Sequence, residues 1–162
     1  LGPAATTPGL GLVQGTGAIT GGVTIAPGGV LSPGFGLGTL TVGNLTLNGT
    51  FLWEATNTPA SDLLTIAGNL ALGASSVLSF AGGNSYALAN YTLATYSGTL
   101  TGTFGSVAGL PTGFALNYGT GTNGAITLSY TFFRAKDQPA PRTAAARPDA
   151  PTPLAIASGV TR

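Results

Sequence analysis

Gly43-Asn44-Leu45-Thr46-Leu47 returns as Gly68-Asn69-Leu70-Ala71-Leu72, a shift of 25 residues. Each copy follows a Thr-containing apolar stretch, and a shorter echo relates Ile25-Ala26-Pro27-Gly28 to Leu31-Ser32-Pro33-Gly34. A repeat of about 20 to 25 residues is the length of one coil of a parallel β-helix. Such a coil leaves unpaired strand edges and apolar faces above and below, which only a similar coil covers well. The repeat therefore predicts that Leu45, Leu47, Leu70 and Leu72 point inward, with Leu45 stacked on Leu70. About six coils at about 4.8 Å spacing would build the body.

Local patterning agrees. Gly38-Thr39-Leu40-Thr41-Val42, Leu63-Leu64-Thr65-Ile66, Ser76-Val77-Leu78-Ser79-Phe80 and Ala125-Ile126-Thr127-Leu128-Ser129-Tyr130 alternate apolar with small polar residues and are separated by turn-forming Gly, Asn and Pro. That period of two places one face in a core and the other in water. The fold class expected is all-β. With 43% hydrophobic and only 6% charged residues, the composition is not that of a disordered chain.

Charge divides the chain. Arg134, Lys136, Arg142, Arg147 and Arg162 all lie at the C-terminal end, whereas residues 1–133 hold only Glu54 and Asp62. The expected organisation is a body over 1–133 with formal charge −2 and an extended Pro/Ala-rich tail over 134–162 with charge +3. Pro-rich segments act as stiff spacers. The tail ends in Leu154-Ala155-Ile156-Ala157-Ser158-Gly159-Val160, so Leu154, Ile156 and Val160 are the candidate intermolecular contacts through which a connector strand would join a neighbouring body.

The run from Pro33-Gly34 through Gly38-Thr39-Leu40-Thr41-Val42-Gly43-Asn44-Leu45-Thr46-Leu47, then Ser61-Asp62-Leu63-Leu64 and Gly68-Asn69-Leu70-Ala71-Leu72, resembles the autotransporter-associated β-strand repeat region. Tyr91-Thr92-Leu93-Ala94-Thr95-Tyr96, Leu100-Thr101-Gly102-Thr103-Phe104, Gly109-Leu110-Pro111-Thr112-Gly113 and Ile126-Thr127-Leu128 are similar to the way such passengers close. The resemblance spans roughly residues 15–130. It implies a right-handed parallel β-helix (β-solenoid) displayed on, or released from, a bacterial cell. Neither an anchoring barrel nor a sorting signal is evident after Tyr130, which departs from the family's pattern.

Chemistry is sparse in this sequence. There is no Cys, His or Met, which removes disulfides, thiol nucleophiles and zinc fingers. Glu54 and Asp62 are the body's only carboxylates and read as an exposed, solvated pair, so no catalytic residue is expected and the chain is read as a non-enzyme. No cofactor, metal or small-molecule substrate is expected either. Gly15-Thr16-Gly17 and Gly119-Thr120-Gly121-Thr122 lack the Lys-Ser or Lys-Thr of a phosphate loop and read as turns. Asn44, Asn48 and Asn90 form Asn-x-Ser/Thr triplets by chance, and Phe51 and Trp53 share one strand face directed at the core. The tail has no aromatic residue after Ala135 to stack on bases, and nucleic acid is not an expected partner.

No run of about 18 apolar residues exists. The chain begins at Leu1 without a leader and is read as a mature secreted, extracellular or cell-surface product, although a fragment would begin in the same way. With no amphipathic helix or charged coil to cap either end, the leading functional expectation is a structural subunit of a fibre, sheath or surface layer. Such a subunit would polymerise head to tail with other copies of itself. The alternative is a monomeric passenger fragment acting as adhesin or spacer. A third reading is an outer-membrane barrel using Ile126-Thr127-Leu128-Ser129-Tyr130-Thr131-Phe132-Phe133 as a lipid-facing strand.

Overall fold

In the first coil, three short strands follow one another round the chain's path: β1 (Ala5–Thr7), β2 (Leu12–Gly15) and β3 (Gly17–Ile19). The second coil repeats the cycle with β4 (Val23–Ile25), β5 (Val30–Pro33) and β6 (Thr39–Val42), and the third with β7 (Leu45–Leu47), β8 (Thr50–Glu54) and β9 (Leu63–Ile66). Then come β10 (Leu70–Leu72), β11 (Val77–Ala81), the long β12 (Tyr91–Thr101), β13 (Ser106–Ala108), β14 (Phe114–Asn117) and β15 (Thr122–Tyr130). This is a computed structural model, and it describes residues 5–7, 11–58, 60–81 and 86–131.

Each strand pairs in parallel with the strand one coil away, which sorts the chain into three ladders. Face A runs β1-β4-β7-β10 and ends on the last residues of β12, and face B runs β2-β5-β8-β11-β13. Face C runs β3-β6-β9-β12. The result is an all-β, coiled, parallel architecture of the β-solenoid kind, five strands deep on faces A and B rather than the six coils expected.

Register follows the repeat. Leu45 lies opposite Leu70 and Leu47 opposite Leu72, and all four side chains are buried. On face B the inward column is Val13, Leu31, Phe51, Leu78 and Val107. Alternation explains the pattern: in β8 the residues Phe51 and Trp53 point in while Leu52 between them is only half-buried.

Coils are not of equal length. On face A successive partners Ala5, Val23, Leu45, Leu70 and Leu100 are 18, 22, 25 and 30 residues apart. The extra residues sit in the corners, so the ladders stay continuous while the perimeter grows.

The corner from face C to face A carries an asparagine ladder. Asn44 Oδ1 accepts the Asn69 N–H at 2.8 Å, and Asn69 Oδ1 in turn accepts the Thr99 N–H at 2.9 Å. A side-chain amide thereby replaces the strand hydrogen bond that the turning backbone cannot make. The glycines before these residues are required by close approach, since a Cβ at Gly68 would overlap Asn44 Oδ1 and one at Gly98 would overlap Asn69 Oδ1.

The expectation of uncapped ends is corrected at the C-terminal end. There β15 pairs antiparallel with β12, and β14 pairs antiparallel with β15, so two strands close the exposed edge of face C. Aromatic rings weld the closure, with Phe114 packed on Tyr86, Tyr91 and Tyr130. Asn90 Oδ1 accepts the Tyr130 N–H at 3.1 Å. Face B is not closed in this way: β13 pairs only with β11, and its inward-column residue Val107 remains 38% exposed. The tail over 134–162, with Leu154, Ile156 and Val160, lies outside the described residues.

Candidate functional site

The most demanding chemistry in the body sits at the corner from face B to face C in the third coil. Strand β8 delivers Trp53 to the core, where it is fully buried. Its ring meets Phe80 edge-on at 5.5 Å, Tyr91 edge-on at 5.6 Å and Tyr86 stacked at 6.1 Å. A buried indole N–H needs an acceptor. The Asp62 carbonyl supplies it at 2.9 Å.

Asp62 is itself fully buried, which overturns the expectation that it forms a solvated pair with Glu54. Its carboxylate takes two backbone donors: the Gly38 N–H reaches Oδ1 at 2.9 Å and the Glu54 N–H reaches Oδ2 at 3.0 Å. Its own N–H donates to the Glu54 carbonyl at 2.8 Å. Gly38 belongs to the neighbouring coil, so one side chain stitches two coils and closes the neck between strand β8 and strand β9. The reason is local: this corner is an excursion whose ends meet at the Ala55 and Ser61 bridge, and the turning amides of Gly38 and Glu54 find no ladder carbonyl. Glu54 is half-buried beside it.

Burial pushes the Asp62 carboxyl up to about 6 from its ordinary 3.8. The Gly38 and Glu54 N–H groups oppose this, and the neighbouring Glu54 carboxylate adds to it. A folded-state value above the unfolded one means the folded protein holds the proton more tightly. Its contribution to stability is thus fully present below about pH 4 and is lost as the pH rises through about 6. The whole span is worth at most about 3 kcal/mol. Urea midpoints measured from pH 4 to pH 8 should fall with rising pH in the wild type and fall less in Asp62→Asn, which cannot ionise. Equal slopes in the two proteins would show that another group governs the dependence.

This arrangement spends both carboxylate oxygens on backbone, and among the described residues Glu54 and Asp62 are the only charged groups. No cluster of three or more potential metal ligands occurs among the described residues. A shallow groove lined by Leu37, Gly38, Thr39, Ser61, Leu63 and Tyr91 passes over the corner.

The other sequence features resolve into structure. Gly15 and Gly17, at φ 135° and 110°, turn the chain from β2 into β3, and Gly119 and Gly121, at 69° and 78°, turn it between β14 and β15. Asn44 and Asn90 hold backbone amides, and the Asn48 carbonyl accepts the Ser75 hydroxyl at 2.9 Å. Sequence reasoning missed the role of Asp62. A signal was present in a buried Trp that needed an acceptor and a lone Asp placed directly before an alternating strand.

No family model, curated protein or solved structure matches this chain. The functional argument therefore rests on geometry. No helix among the described residues is long and apolar enough to cross a membrane.

Proposed function

We propose that this chain is a right-handed, non-catalytic β-solenoid segment of an extracellular or cell-surface bacterial protein, acting as a rigid spacer of passenger type. The observation that carries this reading is the ladder itself. Its parallel coils are in register, its interior is filled by aliphatic and aromatic side chains, and its one fully buried charged residue is spent on backbone. Right-handedness rests on the strong preference of parallel crossover connections for that hand. The extracellular assignment rests on the resemblance of the repeats to autotransporter passengers.

The closed edge of face C favours the spacer over the head-to-tail polymer subunit, because β15 occupies the edge of β12 that a following copy would use. The barrel reading is the weakest of the three, since membrane barrels are antiparallel throughout and the β12–β15 and β14–β15 pairs are antiparallel exceptions in a parallel fold. Sedimentation velocity and negative-stain microscopy of the full chain over a range of concentrations test the choice. Single particles that do not lengthen with concentration are expected. Concentration-dependent filaments would restore the polymer subunit, with Leu154, Ile156 and Val160 as its contacts.

A further inference from the structure

The corner built on Asp62 contains a buried carboxylate facing no cation. From its own coil it meets the Glu54 amide and carboxylate and the Trp53 indole, with the Tyr91 phenol packed on that indole, and from the neighbouring coil it meets the Gly38 amide. The described residues contain no Lys, Arg or His. Two N–H donors favour the ionised form, but burial and the Glu54 charge act against it. A neutral acid is held more cheaply in this setting than a carboxylate.

We infer that Asp62 is a proton-operated clasp between two coils, firm when it carries a proton and loosened when it ionises. The closed clasp shields the carboxyl from water, whereas an opened corner would hydrate it and return it to ordinary acidity. A group that binds its proton more tightly in the closed form biases the corner toward opening as the pH rises. The amides it holds, Gly38 and Glu54, border the groove lined by Leu37, Thr39, Ser61 and Leu63, so the width of that groove follows the protonation state. A surface that tightens below about pH 6 and relaxes above it would meet its surroundings differently in acidic and neutral media.

Amide hydrogen exchange on the full chain tests this between pH 5 and pH 8, with each rate divided by its intrinsic chemical rate. Opening at Gly38 and Glu54 should increase by about tenfold across that range. Leu45 and Leu70, in a ladder away from the corner, should change less, and Asp62→Asn should flatten the response at Gly38 and Glu54. Equal pH dependence at Gly38, Glu54, Leu45 and Leu70 would overturn the clasp, because it would mean that only global stability is changing. An unaltered response in Asp62→Asn would overturn it as well. If that variant does not fold, the carbon resonance of the wild-type Asp62 carboxyl decides. It should titrate with the same midpoint as the Gly38 exchange, and different midpoints would remove the clasp.

Discussion

Trp53→Ala is expected to lower the stability of the body by about 3–5 kcal/mol, the range seen for large aromatic deletions in packed cores. The site is fully buried and the lost ring touches Phe80, Tyr86 and Tyr91, residues that come from different coils and from the closing region. A void there would separate groups that cannot collapse onto one another without breaking ladder register. The substitution also strands the Asp62 carbonyl, which accepts the indole N–H at 2.9 Å. Trp53→Phe isolates that second effect, keeping a ring while removing the donor, and should cost about 1–3 kcal/mol. Because Trp53 is the chain's one tryptophan, urea unfolding must be followed by far-ultraviolet circular dichroism rather than by fluorescence. A loss below about 1 kcal/mol for Trp53→Ala would mean that the aromatic cluster is not the centre of the core.

Gly68→Ala should cost about 2–3 kcal/mol, and for a reason outside its own strand. The added methyl would overlap the Asn44 amide oxygen, forcing that side chain away from the Asn69 N–H that it accepts at 2.8 Å. Removing the amide first changes the outcome. Asn44→Ala alone should cost about 1 kcal/mol, the net worth of a hydrogen bond. In its background Gly68→Ala should cost at least about 1 kcal/mol less than in the wild type, a coupling that residues without contact do not show. Strict additivity in the double-mutant cycle would refute the ladder at this corner.

The repeat made part of this legible in advance. Leu45 and Leu70 could be matched because the two copies share the same five-residue frame, and β-alternation then set which side chains point inward. Val23 and Leu100 stand in the same column yet escaped notice, since their coils are shorter or longer than the repeat and a fixed-period comparison slides past them. The β14–β15 closure was hidden for a different reason. Alternating residues look alike in parallel and antiparallel ladders, and only the partner decides between them. Asp62 was misplaced because an aspartate in a turn is normally solvated, and nothing local reveals that an amide 24 residues away will claim its carboxylate.

The unequal coils, whose spacing on face A rises from 18 to 30 residues, have a consequence for how such a chain changes over generations. Residues inserted at a corner, as between Ala55 and Ser61, broaden one turn and leave the strand order untouched. Residues inserted as a whole turn would instead lengthen the stack by about 4.8 Å. Girth and reach are therefore written in separate parts of the sequence. One can drift, by small insertions under little constraint, while the other advances only by whole duplications of the kind still visible in Gly43-Asn44-Leu45 and Gly68-Asn69-Leu70.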